Sequence, residues 1–432
     1  MHIKKHLGFS GLRKTISKRL LQIEDFRKGD VQYTLHDCFM SGLAMMFFQD
    51  PSLLQFQRRL QQSIHRNNLK TVFNVSSIPK DTQLRDVLDA SPTDELEKVF
   101  SDFFGHLQRG KHLEAYQFLD GYYLMPVDGS EYFSSEKISC ASCLVKKPHK
   151  GNVRYHHQIL QAVIVCPGNK QVIPLAPEAI RNTDGTKKQD CEINAGKRLL
   201  KKIRKSHPKL KIIFVGDDLY SKQPFIDALK KTRMPFIIVA KPSDHKLLHE
   251  WFTEISQMGE TFRLKSKDLK GRDHLYEWIN EIPLNGRKNA HNVNYFQYSL
   301  IVKGKVTYHN SWVTDIAVTE DNVADLVRGG RARWKIENEG FNTLKNQGYH
   351  IEHNFGHGKK NLSMTFFLLN LLAFFIHQIL ELTDVLYQKC RSKYGSRKEY
   401  WNQLRCTFRI MVFRNWEHLV SYIYDPPELQ PP

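Results

Sequence analysis

Residues 210–218 read LKIIFVGDD, a mostly apolar run of β-branched and aromatic residues that ends on two acids. Such a run is typical of a buried β-strand. A helical pattern precedes it in CEINAGKRLLKKIRKSH (191–207), and another follows it in KQPFIDALKKT (222–232). A second apolar strand, PFIIVAKP (235–242), comes next. Strands that alternate with helices in this way predict an α/β sheet covered by helices.

Three more strands are predicted upstream of this unit. YYLMPVD (122–128) ends on an acid, and HHQILQAVIVCP (156–167) and QVIPLAPEAI (171–180) are rich in valine and isoleucine. No helical pattern separates these three strands. We therefore expect a mixed sheet rather than a fully parallel one.

The pattern divides the chain into five regions. The N-terminal region is helical, because LHDCFMSGLAMMFF and LEKVFSDFFGHL carry apolar residues at helical spacing. Helical periodicity fades into strand-like segments from about Phe262 to Thr319 and resumes at about Asn322. The predicted regions are a helical region (1–118), the first part of the core (119–245), a β-rich insertion (246–321), the second part of the core (322–388) and a C-terminal tail (389–432).

One segment has the length of a transmembrane helix. Asn361 to Leu380, NLSMTFFLLNLLAFFIHQIL, carries no formal charge and is long enough to cross a bilayer. Polar side chains interrupt it, among them Asn370 and His377. We expect a buried core helix, with a membrane span as the alternative.

The charge balance restricts the kind of partner. The chain has 64 Lys and Arg against 45 Asp and Glu, a formal net charge of +19. This excess predicts a polyanionic partner, with nucleic acid first and an anionic membrane second. A hydrophobic content of 41% excludes a disordered or collagen-like chain. Seven cysteines, an odd number in a long chain, favour a reducing cytoplasm over a disulfide scaffold, and the basic N-terminus lacks the apolar core of a signal peptide.

Acids at the ends of predicted strands are the candidate functional residues. Asp128 and Asp217 each close a strand, and functional groups in α/β sheets collect beyond the strand ends. A third acid is expected from RARWKIENEGFNTLK (331–345), where Arg333 and Glu337 share one helix face. A surface ion pair is the ordinary interpretation of that spacing. Nearby cations favour a site that holds metal and phosphate together. They are Arg328, Arg331, Lys335 and Lys345.

Carboxylates suit Mg²⁺, a hard cation that prefers oxygen ligands and keeps several waters. Two such ions, about 3.5–4 Å apart, can activate an attacking water or 3′-hydroxyl and stabilise the leaving oxygen. Three carboxylates suffice to hold both ions, because the scissile phosphate supplies further ligands.

The residues around these acids resemble the motifs of a DDE transposase of a bacterial insertion sequence, of the type with a Tyr-Arg-Glu-Lys signature. DGSEYFSS contains Asp128, GDDLY contains Asp217 and RWKIE contains Glu337. The order of predicted elements is similar to that family from about 120 to 385. The resemblance implies an RNase H-like core with a β-rich insertion. It also implies metal-dependent cleavage at the element ends, followed by transfer of the 3′-hydroxyl into target DNA without a covalent enzyme intermediate.

The resemblance also assigns ligands and partners. It implies that the three acids are the catalytic residues and the ligands of two Mg²⁺ ions, for which Mn²⁺ can substitute. Arg333 and Lys345 would bind phosphates near them, together with Arg331. The implied partner is double-stranded DNA, namely the terminal inverted repeats and the target, bound by a homodimer in the bacterial cytoplasm at the nucleoid and without a membrane. The alternatives are an RNase H-like nuclease without strand transfer and a non-catalytic DNA-binding derivative.

The third acid has a competitor, because the signature is incomplete. Gly330 stands where the signature has Tyr, and Lys345 lies one position later than the signature Lys. Glu339 is therefore an alternative third acid. We favour Glu337 because it completes Arg-Trp-x-Ile-Glu.

The second acid also has a competitor. GDDLY offers both Asp217 and Asp218 as the ligand. We favour Asp217 because the family's Asp precedes an aromatic residue by three positions, and Tyr220 fits that spacing.

Cysteines and histidines form two further clusters. Cys140 and Cys143 make a CxxC, and Cys191 is the third candidate ligand of a structural Zn²⁺, with ordinary thiols as the alternative. Three histidines follow the CxxC: His149, His156 and His157. For a second histidine group, in YHIEHNFGHG (349–358), we expect positioning or DNA contact rather than zinc. Its members are His350, His353 and His357.

The helix predicted over 191–207 has a strongly basic face that includes Lys197, Arg198 and Lys201. We expect this face to bind the phosphate backbone, with a solvated surface as the alternative. Recognition of the element ends is expected from residues 1–118, through a helix in the major groove, although no clear helix-turn-helix is present.

Overall fold

The protein is described by a computed structural model at residues 4–29, 31–50, 52–60, 62–149, 151–182 and 189–427. Within these residues, twelve strands form one mixed sheet that helices flank. This is the predicted α/β class, and it is consistent with an RNase H-like fold. The strands are β1 (Gln117–Phe118), β2 (Tyr122–Ser135), β3 (Leu144–Lys146), β4 (Arg154–Ile164), β5 (Ile173–Pro174), β6 (Glu178–Ile180), β7 (Ile212–Gly216), β8 (Phe236–Val239), β9 (Phe262–Lys267), β10 (Asp273–Pro283), β11 (Asn292–Val302) and β12 (Lys305–Thr314).

The N-terminal and C-terminal regions of the chain are helical, and further helices connect the core strands. The N-terminal helices are α1 (Lys4–Leu7), α2 (Phe9–Leu20), α3 (Leu35–Phe47), α4 (Leu53–Leu60), α5 (Ser63–Asn68), α6 (Asp81–Ala90) and α7 (Asp94–Arg109). The connecting helices are α8 (Glu192–Ser206), α9 (Gln223–Lys231), α10 (Lys246–Gln257), α11 (Val323–Arg331) and α12 (Asn342–Asn346). The last four are α13 (Leu362–Thr383), α14 (Val385–Ser392), α15 (Arg397–Ile410) and α16 (Trp416–Tyr424).

The centre of the sheet is mixed because its connections are of two kinds. Hydrogen-bonded neighbours follow the order β3-β4-β2-β7-β8-β12-β11-β10-β9, with β1 on β2 and with β5 and β6 on β4. β2 and β4 pair antiparallel, and the short strand β3 lies between them in the chain without a helix. β7 and β8 are reached through the crossover helices α8 and α9, and the pairs β2–β7 and β7–β8 are parallel.

Two of the predicted strands differ from those observed. The strand predicted at 171–180 is divided into β5 and β6, because prolines at 174 and 177 cannot donate to a continuous ladder. The strand predicted to end at Asp128 continues to Ser135, because β2 keeps its antiparallel partner β4 after it leaves β7. Asp128 therefore lies within a strand, and the prediction that it closes one is wrong.

The β-rich region extends the same sheet. β9 to β12 form an antiparallel meander over residues 262–314, within the stretch predicted from Phe262 to Thr319. β12 pairs antiparallel with β8, with Trp312 opposite Val239. The meander thus continues from the edge of the core, next to β8.

The helix that contains the long uncharged segment lies in the protein interior, as predicted for a core helix. In α13, the residues from Met364 to Leu380 are all buried, and the helix packs against α3, α6 and α7. It has the length and composition of a membrane span, but 94% of its most apolar window is buried inside the protein. Two of its buried polar side chains are bonded to Tyr349: Asn370 Nδ2 donates to the Tyr349 carbonyl at 2.7 Å, and His377 Nδ1 lies 2.5 Å from the Tyr349 hydroxyl.

The expectation of a C-terminal tail needs correction. Residues 397–424 form α15 and α16, which pack against the N-terminal helices. Phe9 stacks on Trp416 with ring centroids 4.6 Å apart, and Asn68 Nδ2 donates to the Phe408 carbonyl at 2.7 Å. These segments fold back because they carry apolar faces that the N-terminal helices bury. The terminal QPP lies outside the described residues.

Candidate active site

Asp128 and Asp217 converge because they belong to neighbouring parallel strands. The last parallel pair joins Pro126 of β2 to Val215 of β7, and each acid lies two residues further along the chain, Asp128 within β2 and Asp217 directly after β7. Both line one cavity of about 470 Å³. The sheet therefore brings the first two predicted acids together, although Asp128 does not close its strand.

Asp217 and Asp218 face the same cavity but differ in their partners. Asp217 caps the short helical turn after β7, since its Oδ1 accepts from the Leu219 N–H at 3.0 Å. Asp218 Oδ1 is 2.5 Å from Lys241 Nζ. Among the described residues, Asp217 has no such ion pair. Asp217 is thus the carboxylate more available to a ligand.

Glu337 reaches the same cavity from the chain between α11 and α12. It lies in a π-helical stretch, Ile336–Phe341, and π-helical turns occur often at functional sites. Its Oε1 is 2.7 Å from Arg333 Nη1. Glu339, the competing acid, lines a different cavity that it shares with Glu381 and Arg397. The geometry therefore groups Glu337, and not Glu339, with the two aspartates.

The cavity makes ionisation of its aspartates unfavourable. Burial raises the pKa of Asp128 to about 7, with repulsion from Glu337 and Glu192 adding to it and Arg333 opposing it. Burial also raises the pKa of Asp217, and the Leu219 N–H and Arg333 oppose that shift. A cation bound between these carboxylates would remove the repulsion.

The donor set fits a hard divalent cation. It consists of carboxylate oxygens from three separate segments, the ligands that Mg²⁺ prefers. Asp128 Oδ1 accepts from its neighbour, the Gly129 N–H, at 2.9 Å. Within the described part of the chain, neither Asp128 nor Asp217 forms a salt bridge with a basic side chain. Both aspartates therefore have oxygens free to coordinate an ion.

A fourth carboxylate, Glu192, was missed by the sequence analysis. It lies in the first turn of α8, and its Oε1 accepts from the Tyr220 hydroxyl at 2.7 Å. Burial raises its pKa, and the neighbouring Asp217 adds to the shift. A Cβ on Gly129 would lie 2.6 Å from Glu192 Oε2, so the helix end sits directly against the backbone that follows Asp128. The sequence does place Glu192 at the start of a predicted helix. That helix was considered only as a basic surface, so its acid was not included among the candidates.

Two of the three side chains predicted to bind phosphate near the acids line the cavity, and the third does not. Arg331 and Arg333 both line the cavity, and the Arg331 guanidinium lies 4.7 Å from the centre of the Tyr308 ring. Lys345 is not among the residues that line it, and its Nζ is 2.8 Å from Glu352 Oε1. Lys241, which was not predicted, lines the cavity with them. The cations that line the cavity are therefore Arg331, Arg333 and Lys241.

On the basic helix α8, Arg198 pairs with acids of the protein itself. Its guanidinium forms two salt bridges within the protein, to Glu178 at 2.8 Å and to Asp190 at 2.7 Å. The doubly paired arginine holds α8 against β6, and its contact with DNA stays a prediction. Lys197 and Lys201 lie one turn apart on the same helix, and Lys201 is exposed. These two remain candidates for phosphate contact.

The cysteines form a cluster with a different membership from the one predicted. The side-chain donor atoms of Cys140, Cys143, His157 and His357 all lie within 4.8 Å of one another. Cys191, the predicted third ligand, is exposed and outside this group. His357 was expected to act with His350 and His353, but those two are exposed while its own ring is buried against the cysteines. Of the other histidines, His149 is exposed and His156 faces Glu131 instead.

A comparison with known protein families agrees with the fold. A family model described as a transposase DDE domain matches residues 142–375. Since the match covers more than half of the sequence, the chain belongs to the DDE transposase family. The matched part contains Asp217 and Glu337, whereas Asp128 precedes it. No curated protein matches the chain.

Proposed function

We propose that the protein is the transposase of a bacterial insertion sequence, of the Tyr-Arg-Glu-Lys type. It would cleave DNA at the ends of its element and join the 3′-hydroxyl ends to target DNA. The observation that carries this proposal is the convergence of Asp128, Asp217 and Glu337, from β2, β7 and the π-helical stretch, on one cavity that also contains arginines. Membership of the family supports a transposase-type action on DNA in general.

In this proposal the three acids hold two Mg²⁺ ions, for which Mn²⁺ can substitute. When bound, the ions would activate the attacking water or 3′-hydroxyl and stabilise the leaving oxygen of the phosphodiester. Asp217 is held in place by its cap on the turn after β7, and Glu337 by its ion pair with Arg333. These contacts keep the carboxylates oriented before the metal and the DNA arrive.

The cations of the cavity would bind the DNA backbone. Arg333 presents a planar guanidinium that can form two parallel hydrogen bonds to a phosphate. Arg331 is steadied by the Tyr308 ring, and Lys241 is exposed at the rim beside Asp218. Such contacts orient the scissile phosphate but carry no information on base sequence.

Other parts of the chain would supply the remaining DNA contacts. Lys197 and Lys201 extend the basic surface along α8, and residues 1–118 would recognise the terminal inverted repeats. Two copies would act on paired ends, in the bacterial cytoplasm at the nucleoid. The net charge of +19 supports a polyanionic partner of this kind.

The test is a cleavage and joining assay with duplex DNA that carries one end of the protein's own element. We expect a nick at the element end in Mg²⁺, no nick in chelator, and a joined product when a target plasmid is added. Asp217→Asn should lower cleavage by about 10³-fold or more while gel-shift affinity for the end DNA is kept. Asp218→Asn is the matched control and should keep most of the activity.

The outcomes separate the proposal from its alternatives. Cutting without a joined product would indicate an RNase H-like nuclease that does not transfer strands. Binding without any cutting would indicate a non-catalytic DNA-binding derivative. Wild-type cleavage by Asp217→Asn would show that the assigned acid is wrong.

A further inference from the structure

A second group of metal-binding side chains lies apart from the acidic cavity. Cys140 and Cys143 occupy the turn between β2 and β3, and His157 lies on β4. His357 comes from the loop between α12 and α13, and none of the four lines the acidic cavity. We infer that these four residues bind one structural Zn²⁺ ion, in a site of the Cys₂His₂ type.

Five of the six distances between the donor atoms are close to those of a tetrahedron around zinc, and all six are within 4.8 Å. With Zn–S bonds of about 2.3 Å and Zn–N bonds of about 2.0–2.1 Å, the edges should be about 3.8 Å for S–S, about 3.6 Å for S–N and about 3.3 Å for N–N. The two Sγ atoms are 3.8 Å apart. The S–N distances are 3.6 Å and 3.5 Å to His157 Nε2 and 3.4 Å from Cys143 to His357 Nε2. The two Nε2 atoms are 3.1 Å apart.

Hydrogen bonds around the cluster orient its ligands. His357 Nδ1 lies 2.8 Å from the Gly358 carbonyl, which can only accept, so Nδ1 carries the proton and Nε2 presents its lone pair. The Cys140 N–H donates to Cys143 Sγ at 3.4 Å, a contact that stabilises a thiolate. Supporting bonds of this kind are what a metal site requires around its ligands.

The chemistry of the donors selects the metal. Two sulfurs and two imidazoles in tetrahedral positions suit zinc, and the group contains no carboxylate to favour Mg²⁺ or Ca²⁺. A disulfide does not explain the arrangement, since its sulfurs would be about 2.05 Å apart rather than 3.8 Å. All four protein ligands are present, which is typical of a structural zinc site rather than a catalytic one.

The position of the site gives it a structural consequence. The turn that carries the two cysteines follows β2, the strand of Asp128, and His357 follows the segment of Glu337. His157 and His357 are 200 residues apart in the chain. One zinc ion would therefore fasten the β2–β4 hairpin to the loop before α13, and so fix the strand of the first acid relative to the segment of the third.

Metal content of the purified full-length protein tests this inference independently of any transposition assay. We expect about one zinc per chain by mass spectrometry of the metals. Cys143→Ser and His357→Gln should lose it, whereas Cys191→Ser, which changes an exposed cysteine outside the cluster, should keep it. Less than about 0.3 zinc per chain in wild-type protein supplied with zinc would overturn the inference. Retention by both cluster variants, or loss by Cys191→Ser, would overturn the ligand set.

A second measurement needs no variant and so does not depend on whether the variants fold. In the native wild-type protein, Cys140 and Cys143 should resist alkylation until a zinc chelator is added, while the exposed Cys191 and Cys406 react at once. Peptide mapping reports each thiol separately. Chelation should also raise protease cleavage in the loop around His357. If Cys140, which is only half-buried, is alkylated equally with and without chelator, no metal protects it and the inference fails.

Discussion

Arg333 and Glu337 form an ion pair one helical turn apart, with Arg333 Nη1 2.7 Å from Glu337 Oε1. The guanidinium also lowers the pKa values of Asp128 and Asp217, against the larger effect of their burial. One side chain thus acts on all three acids. It orients the third and favours the ionised form of the other two.

Arg333→Gln should therefore reduce cleavage strongly. Loss of a positioned cation from a catalytic site costs about 10²–10³-fold in rate, and here the orientation of Glu337 is lost as well. Arg333→Lys should recover part of the rate, because it restores the charge without the planar guanidinium. Single-turnover cleavage of end DNA measures the effect. Arg328→Gln is the control, since Arg328 is exposed and pairs with Asp325; an equal loss in both variants would contradict a specific role for Arg333.

The two candidate third acids can be separated by a matched pair of substitutions. Glu337→Gln should lower cleavage by about 10³-fold or more, because it replaces a proposed metal ligand. Glu339→Gln changes an acid two residues away that lines another cavity, and it should cleave at close to the wild-type rate. The same assay and the same DNA serve for both. The reverse ranking would move the third acid to Glu339.

The fold was largely predictable because it depends on local patterns. Apolar runs bounded by turns gave β7 and β8, and helical periodicity gave α3, α7 and α13, each of which the structure contains. The length of β2 was not predictable in the same way, since its extension beyond Asp128 depends on the partner strand β4. Pairing between distant strands leaves little trace in the local sequence.

The candidate site was predictable where its residues belong to a local sequence pattern, an apolar strand followed by an acid or a short motif. Asp217 follows a recognisable strand, and Glu337 lies in a recognisable motif. Glu192 comes to the acids through the docking of α8, and His357 comes to Cys143 from 214 residues away. Cys191 was predicted as the third ligand, but it is exposed and lies outside the group. Ligands that tertiary packing brings together cannot be selected by spacing alone.

Metal binding at the acidic cavity should depend on pH near neutrality. The pKa of Asp128 is raised to about 7, first by burial, and its carboxyl must lose a proton before it can coordinate an ion. Affinity for Mn²⁺ should therefore fall as the pH is lowered through about 7 and change little above about 8. Calorimetric titration of the metal-free protein measures it.

Glu192→Gln provides the check on this pH dependence. Because the Glu192 charge helps to raise the pKa of Asp128, its removal should move the midpoint of Mn²⁺ binding to lower pH. Gln keeps the size of the side chain and can still accept from the Tyr220 hydroxyl. A midpoint that stays in place or moves to higher pH would contradict the coupling between Glu192 and Asp128.

The basic helix should contribute to DNA affinity through Lys197 and Lys201 and not through Arg198. Lys197→Gln combined with Lys201→Gln should weaken binding and reduce the slope of log K against log salt by about 1 for each phosphate that the protein no longer neutralises. Lys270→Gln, in the exposed turn between β9 and β10, is the charge-matched control for each single change. Unchanged salt dependence in the double variant would exclude this face of α8 from the DNA-binding surface.

Arg198→Gln should instead lower thermal stability, because it takes away a cation that the buried Asp190 carboxylate contacts.

Gly330, which stands where the family signature has Tyr, is required by packing against Trp312. A Cβ at position 330 would lie 2.5 Å from Trp312 Nε1 and 2.8 Å from its Cε2, and Trp312 is fully buried between the sheet and α11. Gly330→Ala should therefore lower the free energy of unfolding by about 1–3 kcal/mol through overpacking, and Gly330→Tyr should not fold in this arrangement. Thermal unfolding measures both effects. Gly340→Ala is the matched control, since a Cβ there meets its nearest neighbour at 3.9 Å and should be tolerated. A Gly330→Ala variant as stable as wild type would show that Trp312 can move, and the absence of the signature Tyr would then need another explanation.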